Sequence, residues 1–254
     1  MNEFDQVVTL ISLSMGVAWA SGLNLYAAIL VLGIGGATGN VDLPPALHVL
    51  QDPMVLMAAG AMYAVEFFAD KTPGVDTAWD SLHTFIRIPA GAMLAAGSVG
   101  DVTPALQIAA GIMGGSLTTV THAAKASSRV LINASPEPFS NWTASVMEDV
   151  AVIGGLWAAL NHPVLFIVLL VLFVLLLIWM LPKLWRGAMM VLRKLGQWLG
   201  VVDPSALPES AGGASDAVTQ LQKLQALKQQ GALTQEEFVL AKSKVLGADD
   251  AAPV

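Results

Sequence analysis

Long apolar stretches separated by short polar ones dominate the first two hundred residues. Apolar runs predict membrane helices at 7–36, 54–68, 104–120, 146–160 and 164–181. The run at 164–181 is the clearest, because it is apolar throughout and a membrane-spanning helix needs about 20 such residues. The stretch at 88–97 is too short to cross alone and becomes long enough only when it is extended back through a helix at 79–86. The pattern therefore predicts an all-α polytopic membrane domain with about six membrane segments.

The first apolar run contains a polar interruption at Ser21-Gly22-Leu23-Asn24, and it is longer than a hydrocarbon core of about 30 Å requires. Two interpretations remain open. A helix that stops near Gly22 and restarts through Asn24 and Tyr26 would leave free backbone groups at membrane depth, which is tolerated beside a cavity. Alternatively, one tilted helix continues through and Gly22 packs against a neighbour. Broken or re-entrant helices are therefore an alternative within the predicted fold class.

Charged residues are concentrated between positions 66 and 87. In a helix, Asp76, Asp80, His83 and Arg87 would share one face, because they are spaced at i, i+4, i+7 and i+11. The other ionisable residues of this stretch are Glu66, Asp70 and Lys71. Charge near a membrane is costly, so it is usually paired or placed against water. The simpler alternative is a solvated cytoplasmic loop with a few ion pairs inside one helix.

A second polar cluster has the opposite sign. His122, Lys125 and Arg129 fall at i, i+3 and i+7 on one helix face, and Glu148-Asp149 precedes the next apolar run. Because an unpaired buried carboxylate costs several kcal/mol, we expect Asp76 or Asp80 within ion-pair distance of a basic residue at 87, 125 or 129. The candidate substrate or ion pathway is Asn24, Tyr26, Glu66, Asp70, Lys71, Asp76, Asp80, His83, Arg87, His122, Lys125, Arg129, Glu148 and Asp149.

Composition supports the membrane assignment and excludes several classes of function. Hydrophobic residues make up 55% of the chain and charged residues 12%, outside the range of soluble domains. The net charge of −7 argues against binding to nucleic acid, which needs a basic surface. Without cysteine there is no disulfide and no thiolate nucleophile. The four histidines show no metal-binding spacing, so whether a metal binds stays open, and no cofactor is expected.

Loop charge predicts the orientation. The loops at 37–52, 98–104 and 161–163 contain no Lys or Arg, whereas the intervening stretches and the region after residue 181 are basic. Basic loops stay on the cytoplasmic side. Both termini are therefore predicted to be cytoplasmic.

The tail is predicted to be a separate unit. The membrane domain, with an amphipathic continuation at the interface, covers 1–200; a flexible linker covers 201–215, a helical hairpin 216–247 and a disordered tail 248–254. Thr234 and Glu237 have capping-box spacing at the start of the second hairpin helix. Two such helices bury too little to be stable alone, so we expect a homo-oligomer or a cytoplasmic protein partner at 216–247.

Two resemblances follow from these residues. Leu221-Gln-Lys-Leu224, Thr234-Gln-Glu-Glu237-Phe238 and Lys242-Ser-Lys-Val-Leu246 resemble the short C-terminal (SHOCT) domain, which implies oligomerisation. The membrane part resembles the bacterial DUF4126 family, through Ser21-Gly-Leu-Asn24-Leu-Tyr26, the charged residues from Glu66 to Arg87, and Ser135-Pro-Glu-Pro138. That resemblance implies a bacterial inner-membrane protein and brings no established activity.

Three functions are compatible with the polar clusters. The first is a small transporter or channel for an ion or small solute, and the second a membrane scaffold that does not transport. The third, an intramembrane enzyme using Glu66, Asp70 and His83, is least favoured because no nucleophile–base spacing identifies a reaction. A continuous polar route would favour transport, whereas tightly packed ion pairs without a void would favour the scaffold.

Overall fold

The computed structural model describes residues 2–72, 74–134, 138–198, 221–228 and 234–245. These ranges are predominantly helical and contain no strand, which confirms the all-α prediction. In chain order, the helices before the tail are α1 (Glu3–Ala37), a 3₁₀ helix (Pro45–Gln51), α2 (Pro53–Ala69), α3 (Val75–Ser98), α4 (Pro104–Asn133), α5 (Pro138–Asn161) and α6 (Pro163–Trp198). Cα packing divides the chain into Met1–Lys194 and Leu195–Val254.

Proline and glycine mark the ends of these helices. The helices α2, α4, α5 and α6 each begin with proline, which fixes a helical φ and lacks the N–H that would go unpaired at a first turn. Asp52 caps α2 by accepting a hydrogen bond from the Met54 amide at 2.7 Å. Gly74 before α3 has a φ of 84°, a left-handed conformation that a side chain disfavours. The helix boundaries therefore follow from local sequence.

The first helix is the centre of the bundle. It packs against α2, α3, α4 and α5, and α3 also packs closely against α4. Glycines permit this approach: a Cβ added at Gly22 would overlap Thr121 Oγ1, and one added at Gly114 would overlap Ala95 Cβ. Gly22 therefore packs against a neighbour, as the second interpretation of the first apolar run expected. Small residues at helix contacts are typical of membrane bundles.

The prediction of six membrane spans is not confirmed. In the described ranges, α1, α5 and α6 are long and apolar enough to cross a membrane. A fourth crossing results if the 3₁₀ helix and α2, which meet at a bend of 66°, count as one broken span. Both α3, with 24 residues, and α4, with 30, reach the length of a span but not its apolarity. Each of these two helices carries a charged face, and this face lowers its mean hydropathy.

The outer surface of α6 suits a lipid environment. Leu172, Leu175, Ile178 and Trp179 are each more than half exposed. Soluble monomers rarely expose contiguous apolar surface of this kind. The surface therefore supports membrane association.

The tail unit contains helical residues 221–228 and the helix Gln235–Val245. The Thr234 amide donates to Glu237 Oε2 at 2.9 Å and the Glu237 amide donates to Thr234 Oγ1 at 3.3 Å, which confirms the predicted capping box. Lys228 Nζ lies 4.7 Å from the centre of the Phe238 ring. The predicted linker 201–215 and the tail 248–254 lie outside the described residues, and the hairpin stays a prediction.

Candidate functional site: a buried charge network

The break in α1 opens a backbone carbonyl toward the polar clusters. Asn24 has φ −147° and ψ 98°, a non-helical conformation inside an otherwise continuous helix. Its side-chain oxygen accepts a hydrogen bond from the Ala27 amide at 2.9 Å, so Asn24 caps the helix that restarts after it. The Leu23 carbonyl accepts instead from Lys125 Nζ at 3.0 Å and from Arg87 at 3.3 Å. Of the two interpretations of the first run, the broken helix therefore describes Asn24 correctly.

The polar face predicted for α3 is confirmed. Asp76, Asp80, His83 and Arg87 all lie in this helix and all are buried. The face points into the bundle because the opposite side of α3 carries exposed apolar residues such as Phe85. A solvated loop, the simpler alternative, is therefore wrong for these four residues.

Lys125 on α4 occupies the centre of the site. Its ammonium group is buried and is surrounded by carboxylate oxygens at 3.3 Å (Glu66), 3.0 Å (Asp70), 3.9 Å (Asp80) and 3.3 Å (Glu148). These carboxylates come from α2, its C-terminal cap, α3 and α5. One lysine side chain therefore connects residues from four elements, counting its own.

Two arginines complete the arrangement. Arg87 Nη2 donates to the same Glu66 oxygen that Lys125 contacts, and Arg87 Nη1 lies 3.3 Å from Asp80 Oδ1. Arg129 Nη2 lies 2.7 Å from Glu148 Oε2 and 3.3 Å from Asp70 Oδ2. We call the seven residues Glu66, Asp70, Asp80, Arg87, Lys125, Arg129 and Glu148 the buried charge network. The prediction that Asp76 or Asp80 lies within ion-pair distance of a basic residue at 87, 125 or 129 is confirmed for Asp80, which reaches Arg87 and Lys125.

The network contains more carboxylates than cations. Its four acidic and three basic side chains give a net charge of −1 when all are ionised. One oxygen each of Glu66, Asp70 and Asp80 is buried and has no hydrogen-bond partner among the described residues. Unpartnered buried oxygens and an uncompensated charge are both costly. The network can therefore accept a positive charge, and a proton is the one that it can accept at the lowest cost in free energy.

Two of the four histidines, His83 and His122, lie beside the network. His122 hydrogen-bonds Thr84 Oγ1 at 2.8 Å and approaches Arg87 Nη1 at 3.3 Å through its other ring nitrogen. His83 hydrogen-bonds the Tyr26 hydroxyl at 3.1 Å and stacks on Trp79. Tyr26, predicted as a site residue, therefore reaches the polar face of α3 through a histidine.

Besides Asn24, Tyr26 and the two histidines, three further predicted site residues lie outside the network. Asp76 is buried but bonds Asn133, with Nδ2 to Oδ1 at 2.7 Å. Asp149 accepts from Asn24 at 3.0 Å and from Tyr63 at 2.9 Å. Lys71 Nζ lies 3.0 Å from the centre of the Phe67 ring, and burial lowers its pKa below the usual lysine value. These residues support the walls of the site without pairing directly to its central charges.

A family profile matches residues 11–183, which is more than half of the chain. The chain belongs to the DUF4126 family. Comparison with curated proteins and with solved structures gave no match. The family's description is a domain of unknown function, so membership carries no activity. All seven network residues of this DUF4126 protein lie inside the matched region. The tail lies outside it, so the resemblance of the tail to a SHOCT domain stays a prediction.

Sequence reasoning missed several neutral partners in this DUF4126 protein. Tyr63, Asn133 and Asn141 hold Asp149, Asp76 and Arg129 in place. Tyr63 could have been found, because it lies one turn before Glu66 on a helix that is otherwise apolar. Asn141 could not have been found in this way. It accepts from Arg129 through its backbone carbonyl, at 3.1 Å, and every residue has such a carbonyl. No group of three His, Asp or Glu side chains suitable for a metal ion occurs within the described ranges.

Proposed function

We propose that this protein is a small membrane transporter or channel, and that its polar site binds a proton in the buried charge network. The observation that carries the proposal is the charge balance of the network: four carboxylates face three cations. One bound proton makes the network neutral. Such ionisable groups inside a membrane domain mark ion pathways and proton relays by default.

Stability alone does not account for such a network. Replacing a buried ion pair by packed apolar side chains is often neutral or stabilising, so a bundle with no other task gains little from seven charges. The break at Asn24 adds to this argument, because transporter sites are commonly built where a helix is interrupted. Both features lie at the same place, since Lys125 and Arg87 donate to the Leu23 carbonyl.

Glu66 is the residue whose protonation would rearrange the network. A single oxygen, Oε1, accepts from both Arg87 and Lys125. When that carboxyl is neutral, both cations gain by shifting toward Asp70, Asp80 and Glu148. Proton binding would thus favour a second arrangement of α2, α3 and α4, and two exchangeable arrangements are what alternating access requires.

A metal cation suits this site less well than a proton. Three basic side chains already lie among the carboxylates, and their positive charges would repel a metal cation. A proton adds to one oxygen without needing a coordination shell. We therefore favour proton coupling, with the transported ion or solute open.

The second candidate function is a scaffold that does not transport. The observation that favours it is packing: the ion pairs are close, and three cavities of the membrane unit are lined mainly by apolar side chains outside the network. In this case the network would serve only to select one packing of α1 to α5. We also propose that the tail associates with copies of itself or with a cytoplasmic partner, and that both termini face the cytoplasm of a bacterial cell.

The test is proton flux in reconstituted vesicles with wild type and Glu66→Gln. Glutamine keeps the shape and one acceptor oxygen but cannot ionise. Transport predicts proton movement by wild type above empty vesicles and its loss in Glu66→Gln. Asp42→Asn, which removes an exposed carboxylate from the loop after α1, is the matched control and should keep wild-type flux. If wild type moves no proton and Glu66→Gln only unfolds at a lower temperature, the scaffold replaces the transporter.

A further inference from the structure

A cleft outside the charge network separates α3 and α4 from the second half of α6. Its volume is about 420 Å³, within the range of ligand pockets. The lining is mainly apolar and includes Phe85, Val130, Trp185 and Leu192. The polar residues of the lining are His122 and five threonines and serines, whose polar atoms take up little of the cleft surface. Thr84 and His122 hydrogen-bond each other at 2.8 Å. A cleft with this lining suits a hydrocarbon chain better than a polar solute.

The wall formed by α6 is amphipathic. After Pro182, the positions that line the cleft are Trp185, Ala188, Met189 and Leu192, at i, i+3, i+4 and i+7. Arg186 and Arg193 are exposed and each follows a cleft-lining residue directly. They lie two turns apart, so both project from the same side of the helix. Basic and tryptophan side chains combined in this way are typical of helices at the membrane interface.

We propose that this cleft binds one anionic phospholipid, with an acyl chain between α6 and α4 and the phosphate headgroup against Arg186 and Arg193. Charge complementarity selects this occupant. A zwitterionic lipid could fill the apolar cleft equally well, but its headgroup would gain far less from two guanidinium groups. Basic pockets between membrane helices are recognised binding sites for anionic headgroups.

The lipid would link α6 to the rest of the bundle. In the cleft region, α6 approaches α4 closely at Gly187, where an added Cβ would lie 2.9 Å from Leu131 Cδ2. Beyond that contact, the cleft separates the two helices, and an acyl chain there would bury the exposed side chains of Phe85, Trp185 and Leu192. This inference does not depend on whether the protein transports.

Lipid retention measured by native mass spectrometry tests the proposal. The full-length protein in mild detergent is incubated with phosphatidylglycerol or with phosphatidylcholine of identical chains. Wild type should retain one phosphatidylglycerol in preference to phosphatidylcholine. In the double variant Arg186→Gln and Arg193→Gln, retention of phosphatidylglycerol should fall about 25-fold, because each basic side chain near an anionic headgroup is worth about a five-fold ratio.

Two matched controls make the result specific. Lys223→Gln with Lys228→Gln removes the same charge from the tail and should leave retention unchanged. Ala126→Phe fills the cleft and should abolish retention, whereas Ile112→Phe adds a ring on the exposed surface of α4 and should not. Equal retention of the two lipids, or equal loss in both charge variants, would overturn the proposal. Full retention in Ala126→Phe would overturn the assignment to the cleft.

Discussion

Lys125→Met tests whether the buried charge network holds the bundle together. Methionine has a similar length but no charge, so four carboxylates lose the ammonium group that they share. The remaining network has two cations for four carboxylates, and its net charge changes from −1 to −2. Removing one partner of a buried ion pair costs about 3–5 kcal/mol. The full value applies because the Lys125 side chain is entirely buried.

The assay is thermal unfolding of the purified protein in detergent. For a protein of this size, 1 kcal/mol corresponds to about 2–4 °C in Tm, so we expect Lys125→Met to lower the Tm by about 6–20 °C. Lys194→Met, which removes an exposed lysine from α6, is the control and should shift the Tm by less than about 2 °C.

A double variant separates charge from packing. Adding Glu66→Gln to Lys125→Met brings the remaining network back to −1, because it then has three carboxylates and two cations. The double variant should therefore be more stable than Lys125→Met alone. A Lys125→Met protein that unfolds within about 2 °C of wild type would refute the reasoning, since the ammonium would then contribute nothing to the carboxylates around it.

Three further predictions concern other parts of the molecule. Gly22→Ala should lower the free energy of unfolding by about 1–3 kcal/mol, because the added Cβ overlaps Thr121. Gly60→Ala, where space is open, should not lower it. Equal shifts of the two variants in thermal unfolding would contradict the close packing at Gly22. Burial lowers the pKa of Lys71, so the unfolded chain keeps the lysine proton to higher pH than the folded protein does. The unfolding free energy should therefore rise as pH approaches about 10.4, and this rise should be absent in Lys71→Met. The same pH profile in both proteins would contradict the prediction. Deleting residues 203–254 should leave the membrane unit folded but reduce its oligomeric mass in light scattering, and an unchanged mass would show that the tail has another role.

Helical spacing was enough to predict the two charged faces. Asp80 and Arg87 on α3, and Lys125 and Arg129 on α4, share helix faces as their i, i+4 and i+7 spacings indicated, and all four are buried. Their opposite signs were enough to predict that the faces meet. Periodicity and the cost of an unpaired charge thus determine this part of the site from sequence alone.

The number of membrane spans was harder to predict, for a related reason. The side chains that build the site reduce the apolarity of α3 and α4, and neither passes as a membrane span on composition. The sequence could not show that Lys125 reaches four carboxylates, because this depends on how closely the helices approach. That approach depends in turn on contacts such as Gly22 with Thr121, which involve residues far apart in the sequence.

The conformation of Asn24 also required the structure. Asparagine in an apolar run is compatible with a packed helix and with a break, and the outcome depends on distant partners. Asp149 accepts from the Asn24 amide, while Lys125 and Arg87 take the freed Leu23 carbonyl. These partners come from α3, α4 and α5, so no local pattern around Asn24 contains them.

The most direct test of the central claim is infrared spectroscopy of the membrane-reconstituted protein across pH. The net charge of −1 predicts that the network takes up one proton, so a protonated carboxyl group should appear as pH falls and should be shielded from the solvent. In Glu66→Gln this signal should be lost, whereas Asp42→Asn should keep it. A wild-type spectrum in which no buried carboxyl group becomes protonated at any pH at which the protein stays folded would contradict the account.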